Sequence, residues 1–207
     1  MKKYELTAEF IEQWGKKLFR IKALISFGSV EAGELGGYVE KEDNLAQDGD
    51  AWVYGNAWVY GNARVCDDAW VYGNARVCDD ARVYGNARVC GNARVYGDAE
   101  VYGNAEVYGD AWVYGNARVC GNADYLLIGR IGSRFSFTTF FKNKDKGITV
   151  SCGCFLGTIA EFRAKVTDTH GNNKHAKMYN LAADMAELQI LGEEHFDKLN
   201  TNKSEPF

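Results

Sequence analysis

The chain predicts a mainly β fold, with a regular stack of short strands between a small β-rich cap and an α+β domain. Three observations carry this. Residues 51–122 are one six-residue phrase said twelve times: Ala, a variable residue, Val, Tyr or Cys, Gly or Asp, then Asn or Asp. Ala and Val never fail at the first and third positions, and no residue is inserted or lost. The segments on either side lack the period but carry strand and helix signals of their own.

Before the repeat, residues 1–44 read as the cap and an irregular first coil. Lys17 to Leu24 alternates partially and is rich in β-formers. Trp14-Gly15-Lys16 can turn an earlier strand around Phe10 and Ile11 into it. A helix over residues 8–17 competes, weakened by Gly15. Residues 28–37 hold Gly28, Gly33, Gly36 and Gly37 and read as a loop. From Tyr38 the chain drifts into the repeat, with Leu45 at an Ala position and Gln47 at a Val position. Irregular terminal repeats are expected where they cap a stacked core.

In a strand, alternate residues face opposite ways. Residues 45–123 are therefore expected to point Ala and Val inward, and the variable residue and the Tyr or Cys outward. Gly-Asn, Gly-Asp and Asp-Asp suit tight corners. With three units per triangular coil, residues 18 apart stack on one face. One face then reads Trp52, Trp70, Arg88, Glu106 with Tyr54, Tyr72, Cys90, Tyr108. The second reads Trp58, Arg76, Arg94, Trp112, and the third Arg64, Arg82, Glu100, Arg118. A pentapeptide solenoid does not fit the period, and a leucine-rich horseshoe does not fit a stretch without Leu.

An aliphatic residue followed four positions later by a small one, as from Val53 to Ala57 and Val59 to Ala63, resembles the hexapeptide repeat of left-handed parallel β-helices. That resemblance covers residues 51–122 and implies about four regular coils. It also implies a homotrimer and, in many members, an acyl-CoA-dependent transferase with a His base; a few are zinc carbonic anhydrases with three His on the coils. This chain has no His before His170 and no loop projecting from the repeat. The whole arrangement further resembles uncharacterised repeat proteins of prophages and gut bacteria.

Residues 124–192 read as an α+β domain of three strands and two helices. Tyr125 to Ile128, Phe135 to Phe141 and Ile148 to Cys152 are the strands, with a hairpin turn at residues 143–147. Thr158-Ile159-Ala160-Glu161 is a capping box opening a helix with Ile159, Phe162 and Val166 on one face. His170-Gly171-Asn172 stops it. Asn173 caps a second helix with an apolar stripe of Met178, Leu181, Met185 and Leu188, ending at Gly192. The charged tail 193–207, with His195, is expected to be flexible.

A net charge of -4 gives no bulk electrostatic case for nucleic acid. No apolar run is long enough for a membrane span. The N-terminus turns acidic too early for a secretory signal, so a cytoplasmic protein with six free thiols is expected.

Candidate sites divide in two. The outward Trp52, Trp58, Trp70, Tyr54, Tyr72, Arg76, Arg88, Arg94 and Trp112 are of the types that dominate binding hot spots. Aromatic faces beside Arg also suit a nucleobase and its phosphate. Alternatively, such ladders only stabilise the sheet by cross-strand stacking, or are buried between protomers. The second candidate is Cys152, Cys154, His170 and His175, as a four-ligand zinc site or a Cys–His nucleophile. The repeat cysteines Cys66, Cys78, Cys90 and Cys120 are spread over faces and coils and read as small substitutes for Tyr. Asp67-Asp68 and Asp79-Asp80 fall on different corners and read as turn residues rather than a Ca²⁺ site. The leading expectation is a non-enzymatic binding or scaffold protein without a cofactor. The alternatives are a phage-encoded protein that sequesters a nucleotide-like ligand or inhibits a host factor, and a hexapeptide-repeat acyltransferase.

Overall fold

The computed structural model describes residues 1–201 and divides into two compact units, Met1–Asn122 and Ala123–Phe207. In the first, β1 (Tyr4–Gln13) and β2 (Lys16–Ala23) form the expected antiparallel hairpin. Trp14 and Gly15 take positive φ at its turn (50° and 75°), the backbone twist that two-residue hairpins favour. The competing helix does not form.

The glycine-rich stretch is only partly a loop. Gly36 and Gly37 lie inside β3 (Leu35–Val39), which pairs antiparallel with β2 and parallel with the solenoid. A Cβ on Gly36 would sit 2.5 Å from Ile21 Cγ1 and 2.6 Å from the Val53 carbonyl oxygen. These glycines serve close approach rather than a turn.

Twelve two-residue strands follow, each the variable residue and Val of one unit, from β4 (Trp52–Val53) to β15 (Arg118–Val119). They stack in three parallel sheets with the 18-residue register expected: Trp52, Trp70, Arg88 and Glu106 pair in order, as do Trp58, Arg76, Arg94 and Trp112. With β3 and the first irregular stretch the β-solenoid makes about five turns. Every repeat Ala and Val is fully buried. At nine of the twelve corners Gly supplies a positive φ, 63° at Gly55, and Ala57 N–H closes the turn onto the Tyr54 carbonyl.

Asp67 and Asp79 take the same positive φ without being Gly. Their Oδ2 atoms accept from the backbone N–H of Gly85 (3.0 Å) and Gly97 (3.3 Å) one coil on. The paired acids therefore tie corners together. Asn and Asp form ladders beside them, as in Asn62 Nδ2 to Asp80 Oδ1 at 3.1 Å.

The first coil is longer than a regular one. Leu45 bridges Val65 and Tyr38 pairs with Trp58, both 20 residues apart. Leu45 thus fills a Val slot and is buried, while Gln47 turns to the cap, its Oε1 accepting from Lys3 N–H at 2.8 Å.

The second unit carries the three expected strands and one more. β16 (Tyr125–Ile131), β17 (Ser136–Lys142), β18 (Ile148–Cys152) and β19 (Phe155–Thr158) form an antiparallel meander. α1 (Ile159–His170) opens on the Thr158/Glu161 capping box, and α2 (Lys174–Leu191) on Asn173. The stripe on α2 differs from expectation. Met178, Leu181, Met185 and Leu188 are 39–63% exposed, and the helix packs through Ala176, Tyr179, Ala182, Ala183, Ala186 and Ile190. Small alanines let α2 lie close on the sheet, so bulk does not mark the buried side. Residues 193–201, expected within a flexible tail, form α3 (Glu193–Thr201) directly after the Gly192 cap; the rest of that tail lies outside the described residues. Among the described residues no helix is long and apolar enough to cross a membrane.

Candidate functional site

Of the nine outward residues, Trp52 is not available. It is fully buried, with the Tyr4 and Phe27 rings edge-on at 6.1 and 5.3 Å. The Cβ missing from Gly36 would lie 2.7 Å from Trp52 Cζ2, so glycine there makes room for the indole. The cap closes over the first rung of this face.

Trp58, Arg76, Arg94 and Trp112 share a different face and satisfy one another. Arg76 and Arg94 are direct neighbours in the ladder. Each guanidinium turns away from the other onto a Trp, Arg76 over Trp58 at 4.3 Å and Arg94 over Trp112 at 4.7 Å. Trp14 of the hairpin joins the first pair, edge-on to Trp58 at 6.0 Å. Cation–π stacking here relieves two adjacent like charges, and this face reads as structural.

The remaining four come together. Tyr54, Trp70, Tyr72 and Arg88, with Ser29 from the cap, line one open depression of about 490 Å³. They stand on three successive coils of the face whose first rung the cap covers, so the depression begins where the cap ends. Tyr54 is exposed, Trp70 and Tyr72 are half-buried, and Arg88 is exposed. The Glu34 carboxylate beside Tyr54 pushes its phenol above the usual tyrosine range. The Cys90 thiol and then burial do the same for Tyr72. Both phenols are thus neutral hydrogen-bond donors at ordinary pH. Arg88 Nη1 is 3.5 Å from Glu106 Oε1, and both side chains are largely exposed. Such a pair is weak and leaves most of the guanidinium fork open to a ligand. The Tyr54 hydroxyl is engaged with Glu34 and that of Tyr72 with Cys90, so the site offers ring faces and one cation. Ser29 was missed in the sequence because nothing local places residue 29 beside residue 70.

The cysteine and histidine candidates lie in the second unit. Cys152, Cys154 and His170 line one cavity; His175 does not line it, and its ring lies tilted against that of His170 with centroids 5.9 Å apart. Among the described residues no group of three or more His, Cys, Asp or Glu is placed to hold a metal ion. All six cysteines are thiols. In the solenoid Cys78 and Cys90 sit beside Tyr60 and Tyr72 of the preceding coil, filling a ladder position with a smaller side chain.

Residues 57–73, 69–85, 75–91 and 87–103 match a family model described as the YdcK Beta solenoid repeat. These spans lie wholly within the stacked coils, including Trp70, Tyr72 and Arg88, and are what the chain shares with that repeat. None of the curated proteins matches the chain.

Proposed function

We propose that this β-solenoid protein is a non-enzymatic binding protein whose site is the depression at Tyr54, Trp70, Tyr72 and Arg88. The observation that carries the reading is convergence: three aromatic side chains and one weakly paired guanidinium line a single depression of about 490 Å³. That volume falls within the roughly 300–1,000 Å³ of small-molecule sites. The ligand class that fits is a planar ring system carrying an anionic group, such as a nucleotide. Its ring stacks on Trp70 or a Tyr, and its phosphate meets Arg88. The absence of His from the coils supports binding rather than acyl transfer.

A thermal-shift panel tests this. Nucleoside monophosphates should raise the melting temperature by an amount that grows with concentration. Nucleosides without phosphate, and inorganic phosphate alone, should shift it less. No shift with any nucleotide, or an equal shift with phosphate alone, would overturn the reading.

A further inference from the structure

The second unit holds a cavity that the solenoid site does not use. It is about 220 Å³ in volume and lies among the β16–β17 turn, the β18–β19 turn, α1 and α2. Its floor is apolar: Phe155, Phe162 and Val166, with Phe162 edge-on to the Tyr179 ring at 5.6 Å. Its rim carries Arg134 and Lys165 and no carboxylate. That imbalance stands out in a chain of net charge -4. The neighbouring acids are engaged elsewhere: Asp184 and Glu187 hold Arg163 at 2.7 Å, and Glu161 caps α1. Lys165 has Asp168 at 3.0 Å, on the exposed side of α1. Arg134 has no carboxylate partner among the described residues.

The depth of the cavity is polar at one point. The Cys152 sulfur accepts from Thr138 Oγ1 at 3.2 Å and lies beside the Tyr179 phenol. Burial first, and then Cys152, pushes that phenol up to about 12, so it is a neutral donor. Gly153 turns the chain at the rim with a φ of 60°, and a Cβ there would only touch Arg134 Nη1 at 3.5 Å.

We propose that this cavity is a binding site for a small amphipathic carboxylate, whose apolar body rests on Phe155, Phe162 and Val166 and whose carboxylate is gripped by Arg134. Its volume is below that of drug-sized pockets, which limits the ligand to about one ring or a short chain. A guanidinium takes a carboxylate through two parallel N–H donors, a geometry that an alcohol or an amine does not reproduce. This proposal is independent of the solenoid site, since every lining residue belongs to the second unit.

Cys154 is exposed on the lining and reports occupancy. The experiment is iodoacetamide labelling of the full chain with the modified cysteines mapped by mass spectrometry, and benzoate, benzyl alcohol or benzylamine as probe. Saturating benzoate should slow alkylation of Cys154 several-fold and leave Cys120 of the solenoid unaffected. Benzyl alcohol should protect weakly and benzylamine not at all. Arg134→Gln should weaken benzoate protection by about tenfold or more with an unchanged melting temperature, and Arg134→Lys should restore only part of it. No protection by benzoate, equal protection by benzylamine, or protection insensitive to Arg134→Gln would each overturn the proposal.

Discussion

The Lys3 ammonium donates to the carbonyl oxygen of Ala51, the first residue of the regular repeat, at 3.0 Å. Carbonyls of Asp48 and Gly49 accept from it at 3.1 and 3.2 Å, and the Phe27 ring lies 4.9 Å away. Lys3 is 2% exposed, and burial lowers its pKa although three nearby aspartates oppose the shift. A buried lysine thus ties the cap to the long first coil. Lys3→Met removes the donor and leaves the carbonyls unpaired. It should lower stability by about 1–3 kcal/mol in urea denaturation, and an unchanged midpoint would show that the tie is dispensable.

Gly36→Ala tests the close approach of β3. The added Cβ meets Ile21, Val53 and Trp52 at once, and none can withdraw without moving the core. The expected loss is roughly 1–3 kcal/mol. Gly121→Ala, at a position with nothing within 4 Å and no positive φ, should change stability by less than about 0.5 kcal/mol.

On α2 the two readings of the apolar stripe separate cleanly. Leu181→Gln and Met185→Gln should each cost within about 0.5 kcal/mol, since both side chains are mostly exposed. Ala183 is fully buried against the sheet, so Ala183→Leu should cost about 1–3 kcal/mol. The reverse order in denaturant titrations would restore the stripe as the buried face.

How far the residues alone lead can be seen at particular places. The period of six specifies interior Ala and Val, the corners and the 18-residue register, because each is decided within one unit or by stacking identical units. The Thr158/Glu161 and Asn173 caps and the Trp14–Gly15 turn are equally local. What was not legible depends on partners distant in sequence. Trp52 is covered by Tyr4 and Phe27, Gly36 is glycine because of Ile21 and Val53, and Leu45 takes a Val slot because the first coil is long. The candidate depression was half legible: stacking arithmetic placed Tyr54, Trp70, Tyr72 and Arg88 on one face, but not Ser29, nor the pairing that occupies Arg76 and Arg94.

Alkaline pH should destabilise the fold. Burial, and then the neighbouring Glu100 or Tyr114, pushes Tyr84 and Tyr96 up to about 12, while unfolded tyrosines ionise near 10. A folded-state pKa above the unfolded value gives stability that is complete below pH ~10 and is lost as pH rises toward ~12. Absorbance titration of phenolate should therefore show a fraction of the tyrosines ionising only together with loss of the β-sheet circular dichroism signal. Complete, non-cooperative ionisation near pH 10 would contradict the half-buried Tyr84 and Tyr96 ladders.

Isothermal titration of AMP into the wild type and into Arg88→Gln, Trp70→Ala and Arg94→Gln tests the binding account most directly. Arg88→Gln and Trp70→Ala should each weaken binding by about tenfold or more, which corresponds to about 1.4 kcal/mol. Arg94→Gln, on the face whose cations are already stacked, should leave affinity unchanged. Binding that is lost with Arg94 and indifferent to Arg88 and Trp70, or no binding to the wild type, would contradict the account.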